Sequence, residues 1–68
     1  MEISFTTEVT DGLETKIIVS KIEKGVFITQ REILNSKEST DIATHFLSKE
    51  QLKDFIGALL HIQSKLTR

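Results

Sequence analysis

Residues 46–66 read FLSKEQLKDFIGALLHIQSKL, and this stretch carries the strongest structural signal in the chain. Ser48 is a favourable N-cap residue, and Gln51 stands three residues later, so the two form a capping box. Such a box satisfies backbone amides that would otherwise lack a partner at the start of a helix. The pattern predicts one amphipathic helix over about residues 49–67, with a strand leading directly into it.

The apolar residues of this helix fill an arc of roughly 160°, which is wider than the stripe of about 100° that covers a sheet. In one interpretation a single helix closes the whole core, and in the other one edge of the arc meets a second protomer. Gln63 lies within the arc, either as a side chain that reaches solvent or as a polar residue that sets register between paired helices. We therefore predict a dimer or partner interface at Phe55, Ile56, Leu59, Leu60, Ile62, Gln63 and Leu66.

Four strand-like segments precede the helix, at about residues 2–9, 13–22, 26–34 and 40–46. Period-two alternation indicates strands, and in the first segment it places Ile3, Phe5, Thr7 and Val9 on one face. The connection Thr10-Asp11-Gly12 predicts a hairpin. In the second segment Ile17, Ile18 and Val19 are apolar on both faces, as expected of a central strand or of one covered on both faces.

The fold class that follows is α+β: a four-stranded antiparallel meander and one C-terminal helix (ββββα), in a single domain over residues 1–68. A chain this short buries only about 60% of its unfolded surface. Small domains usually need disulfides, a metal or oligomerisation for stability. The sequence has no Cys and only two His, so self-association is the means of stabilisation that we expect.

No catalytic, metal or cofactor site is predicted, and we expect a protein that is not an enzyme. His45 precedes Ser48 by three residues, but a nucleophilic pair also needs an orienting group and an oxyanion hole. Ser48 is explained by its role as helix cap, and we expect His45 on the polar face of its strand. Residues 1–5 open directly into strand-like alternation, without a signal-peptide pattern or a long apolar run. A cytoplasmic protein without membrane contact is therefore expected.

The net charge of −1 disfavours a dedicated nucleic-acid-binding protein, because such proteins usually carry a basic excess to neutralise phosphates. A local site remains an alternative, since Phe27 and Arg31 are predicted to share one face of the third strand. A base can stack on the aromatic ring while the cation contacts the backbone.

The order of four strands and a helix, with the junction FLSKEQL at residues 46–52, resembles the transcriptional coactivator family called positive cofactor four. In that family the helices pair into a homodimer and the sheets hold single-stranded DNA. The resemblance implies nucleic-acid contacts at Lys16, Lys24, Phe27 and Arg31. This chain departs from the basic sheet of the family, because Glu8, Glu14 and Glu32 lie among its lysines. Small phage-encoded accessory proteins also combine short strands with a capped helix.

The sequence supports two functional hypotheses. The first is a small non-enzymatic regulatory protein, such as a phage accessory protein or an inhibitor, that forms a homodimer and binds another protein. The alternative is a protein that binds single-stranded nucleic acid in the manner of the positive cofactor four family. The first fits the near-neutral charge and the wide apolar arc of the helix.

Overall fold

The computed structural model describes residues 1–66 and has four strands followed by one helix. The elements are β1 (Glu2–Thr10), β2 (Leu13–Ile22), β3 (Gly25–Ile33), β4 (Ser39–Ser48) and α1 (Lys49–Lys65). The strands pair antiparallel in the order β1-β2-β3-β4, so the predicted α+β class with ββββα order is confirmed. The predicted end of the helix at residue 67 lies outside the described residues.

The β1–β2 hairpin closes through two residues instead of the three predicted. Thr10 already pairs with Leu13, and the turn consists of Asp11 at φ 51° and Gly12 at φ 80°. Positive φ at both central residues matches the right-handed twist of the flanking strands, which is why Asp-Gly is favoured in such turns.

A bulge interrupts β1, so the predicted alternation does not continue along the whole strand. The pairing register shifts between Thr6 and Glu8, so Thr7 is the extra residue. An extra residue in one strand reverses the face on which the following side chains lie. Val9 therefore lies on the face opposite Phe5, and the prediction that Ile3, Phe5, Thr7 and Val9 share one face is wrong.

The register separates two faces of the sheet, because side chains of directly paired residues lie on the same face. The apolar face carries Ile3, Phe5, Ile17, Val19, Val26, Ile28, Ala43 and Leu47, and among them also Glu8, Thr15, Lys21, Gln30, Glu32 and His45. The mixed face carries Glu2, Ser4, Thr6, Glu14, Lys16, Ile18, Phe27, Thr29, Arg31, Asp41, Thr44 and Phe46. Strand β2 is central, as its doubly apolar segment predicted.

Helix α1 touches the sheet only near its beginning. Leu52 is the one half-buried residue among those described in the helix, and it lines a groove together with Ile3, Val19 and Val26 of the apolar face. No described helix residue is fully buried. Among residues 1–66, only Ile18 and Thr29 are buried, and both lie on the mixed face. The interpretation that one helix closes the core of a single chain is therefore wrong.

Candidate interaction surfaces

The helix stripe, defined as Leu52, Phe55, Ile56, Leu59, Leu60, Ile62, Gln63 and Leu66, is the first candidate surface. A capping box at Ser48 and Gln51 fixes the start of the helix. The Ser48 hydroxyl accepts from the amide of Gln51 at 3.2 Å, and the Gln51 side chain accepts from the amide of Ser48 at 3.0 Å. Phe55 lies beside Ile28 and Leu47 of the sheet. Farther along the helix the stripe is exposed, with Leu60 59% and Ile62 56% exposed. Six of the predicted interface residues line one shallow groove, in which Gln63 is the polar member: Ile56, Leu59, Leu60, Ile62, Gln63 and Leu66.

The apolar face of the sheet is the second candidate surface, and the sequence did not identify it. Ile3 is 61% exposed and Phe5 is 54% exposed. An open groove of about 470 Å³ separates this face from the first turn of the helix, and Lys21 and Lys49 contribute to its lining. Alternation in the strands predicts which residues share a face, but it does not reveal that the helix leaves that face uncovered.

The total area and the dimensions of the chain show that it is less compact than a self-contained domain of its mass. The chain exposes 5683 Å², whereas a compact monomer of 7.7 kDa exposes about 4,300 Å². Its radius of gyration is 14.0 Å, while a compact domain of this length has about 11 Å. The chain therefore exposes about 1,400 Å² more than a self-contained domain of its mass.

The mixed face carries a pair of aromatic side chains. Phe27 and Phe46 are directly paired across β3 and β4, and their ring centroids lie 5.9 Å apart at an interplanar angle of 66°. The rings are 39% and 47% exposed, respectively. An edge-to-face pair of this kind is favourable beyond its buried area. The sequence had suggested only Phe27 as a platform, because the partner of Phe27 depends on the β3–β4 register.

Arg31 is engaged by a carboxylate on the same face. Its Nε donates to Asp41 Oδ1 at 2.5 Å and its Nη2 donates to Asp41 Oδ2 at 3.3 Å. The hydrogen bond and the charge of Arg31 lower the pKa of Asp41 below its ordinary value, and the bond to Asp41 raises the pKa of Arg31. A bidentate pair of this kind fixes the orientation of the guanidinium.

Three of the four predicted nucleic-acid contacts lie together on the mixed face. Lys16 pairs with Arg31 across β2 and β3, and Phe27 lies four residues before Arg31 on β3. Lys24 instead lies in the turn between the strands. The mixed face also carries three carboxylates, Glu2, Glu14 and Asp41. The carboxylates of this face therefore outnumber its two cationic side chains, Lys16 and Arg31. This charge balance disfavours a phosphate backbone as ligand.

The Ser–His geometry does not support nucleophilic catalysis. Ser48 pairs with Gly25 on the mixed side, whereas His45 pairs with Ile28, so the two side chains start from opposite faces of β4. The prediction that His45 lies on a polar strand face is wrong, because Ile28 belongs to the apolar face. Among residues 1–66, no group of three or more His, Cys, Asp or Glu is arranged to hold a metal ion.

Within the described part of the chain, no helix has the length and apolar character needed to cross a bilayer. Comparisons with protein-family models, with curated proteins and with solved structures find no match. The resemblance to the positive cofactor four family therefore rests on the strand order and the junction residues alone.

Proposed function

We propose that this protein is a non-enzymatic interaction module that forms a homodimer and acts by binding another protein. The observation that carries the proposal is the excess of about 1,400 Å² of exposed surface per chain over a compact monomer. If two chains each bury that excess, the interface totals about 2,800 Å², which lies within the range of obligate homodimers.

A second copy of the chain is the partner best suited to the helix stripe and the apolar face. Only two of the described residues are buried, so a single chain lacks the core that a stable fold requires. A cover for these surfaces must be present whenever the protein is folded, which favours an identical chain over an occasional partner. A two-fold dimer buries the same surface on both chains.

The mixed face is then the surface available to a different protein. It combines the exposed pair Phe27 and Phe46 with charges of both signs, including Arg31 and Glu14. Phenylalanine and arginine are enriched in protein interfaces. Because the dimer contacts use the helix stripe and the apolar face, the mixed face stays accessible to a partner in the dimer.

Sedimentation and affinity capture test the two parts of the proposal. Wild-type protein should sediment as a dimer at micromolar concentration. Tagged wild type should retain a specific host protein that Phe46→Glu loses, while the matched control His61→Glu, which adds the same charge on the polar side of the helix, retains it. Direct binding of the purified protein should reproduce this pattern. A monomeric wild type, or equal capture by the Phe46 variant, would contradict the corresponding part.

Single-stranded nucleic-acid binding is the second candidate, and the aromatic pair beside Lys16 and Arg31 favours it. Stacking on an aromatic side chain contributes about 1–3 kcal/mol per base. Fluorescence anisotropy with an oligonucleotide at two salt concentrations separates the candidates, since binding through several phosphates weakens steeply with salt. Micromolar, salt-dependent binding that is lost in the double variant Lys16→Glu, Arg31→Glu would establish this function instead.

A further inference from the structure

We infer that the homodimer is reciprocal: the helix stripe of each chain covers the apolar sheet face of its partner. The inference rests on the proposed homodimer and specifies which surfaces meet. It differs from a dimer held only by paired helices, in which the sheet faces contribute nothing. The starting observation is that each chain exposes two separate apolar surfaces, one on the helix and one on the sheet.

Pairing of the helices alone leaves the sheet surface in water. Ile3 is 61% exposed and Phe5 is 54% exposed on the apolar face, and neither residue belongs to the helix stripe. A seam between two stripes would cover residues such as Leu60 but not these two. The excess of about 1,400 Å² per chain includes both surfaces, so an arrangement that buries both accounts for more of it.

The dimensions of the two surfaces match. A helix of 17 residues is about 25 Å long. Strands of nine or ten residues extend about 30 Å, and four strands at the usual spacing span about 14 Å between the outer axes. One helix, about 10 Å wide, therefore covers most of such a face. The chain's own helix lies against that face only in its first two turns, through Leu52 and through Phe55 beside Ile28 and Leu47, which leaves the β1 side, with Phe5, for the partner.

Interface variants on the sheet and on the helix test this arrangement. Phe5→Glu introduces a charge on the apolar face, and Leu60→Glu introduces one on the helix stripe. Burial of an unpaired charge is costly, so each variant should raise the dimer dissociation constant by on the order of 100-fold. Ser4→Glu, on the mixed face, and His61→Glu, on the polar side of the helix, are the matched controls and should remain dimeric.

Mixing the two interface variants gives the decisive result. In a reciprocal dimer, the unchanged helix of Phe5→Glu can cover the unchanged sheet of Leu60→Glu, so one of the two contacts is restored. An equimolar mixture should therefore form a heterodimer at concentrations where neither variant forms a homodimer. In a dimer held only by paired helices, Phe5→Glu would dimerise as well as wild type, and that result would overturn the inference.

Cross-linking keeps the test valid if a charged variant fails to fold. The chain contains no Cys, so Phe5→Cys and Leu60→Cys each introduce one thiol, and the two chains can carry tags of different mass. A short bismaleimide should join the two different chains, whereas Ser4→Cys should give little product with Leu60→Cys. Dimeric wild type without the Phe5–Leu60 product would overturn the reciprocal arrangement only. Monomeric wild type would overturn the proposed homodimer as well.

Discussion

At the scale of single residues, Ser48 fixes the start of helix α1 through reciprocal hydrogen bonds with Gln51. Ser48→Ala removes the acceptor for the Gln51 amide, and loss of an N-cap typically costs about 1 kcal/mol. Urea titration should show that decrease in the free energy of unfolding. Ser64→Ala is the control, because the Ser64 hydroxyl bonds only the exposed His61 carbonyl, and surface changes usually stay within about 0.5 kcal/mol. Equal effects of the two substitutions would contradict the role of Ser48.

Two glycines should respond to alanine with opposite signs. A Cβ on Gly25 would lie 2.1 Å from the carbonyl oxygen of Leu47, whereas a Cβ on Gly57 meets nothing within 4 Å. Gly25→Ala must therefore displace β4 from β3 and should lower the melting midpoint. Gly57→Ala removes a helix-destabilising residue and should stabilise by about 0.5–1 kcal/mol. A stabilising effect at both positions would contradict the close approach of β3 and β4 at Gly25.

The Arg31–Asp41 pair gives a pH-dependent contribution to stability. Because the hydrogen bond with Arg31 lowers the pKa of Asp41 in the folded protein, folding favours the ionised carboxylate. The contribution is present above the ordinary pKa of 3.8 and is lost as the pH falls through the lower folded value. Asp41→Asn should thus be less stable than wild type at pH 6, and the difference should shrink as the pH falls below the ordinary pKa of the carboxyl. Denaturant midpoints across this range measure the difference.

At the scale of elements, the sequence predicted what depends on local pattern. The capping box and apolar periodicity identified helix α1, and the residues around Ile18 identified the central strand. The bulge at Thr7 was not predicted, because apolar and polar residues alternate regularly through this part of the sequence. The Phe27–Phe46 pair depends on the β3–β4 register, and the position of the helix depends on tertiary packing. These features are non-local, so a one-dimensional pattern does not contain them.

Helix α1 also provides a prediction about association. Ile62→Glu introduces a charge into the exposed stripe, so the dimer should dissociate into separate chains that are largely unfolded. His61→Glu adds the same charge one position away, on the polar side, and should leave association unchanged. Light scattering at matched concentrations measures both. A dimeric Ile62 variant would remove the helix stripe from the interface, whatever the role of the sheet.

At the scale of the whole molecule, the described chain has almost no interior of its own. Ile18 and Thr29 are its two buried residues, and they lie on the mixed face, away from the helix. The larger apolar surfaces of helix and sheet are exposed instead. Folding in this arrangement gains most of its hydrophobic stabilisation when two chains meet, so folding and association should be one coupled event.

Coupled folding and association predict a melting temperature that depends on protein concentration. By mass action, a dimer that unfolds to two separate chains becomes more stable as the chain concentration rises. Thermal unfolding followed by circular dichroism should therefore show a midpoint that increases steadily between micromolar and millimolar concentrations. Ile62→Glu should be largely unfolded at micromolar concentration, because chains that no longer associate lack the core that a stable fold requires. A wild-type midpoint that stays constant over this range would mean that a single chain builds its own core, and the homodimer proposal would fail.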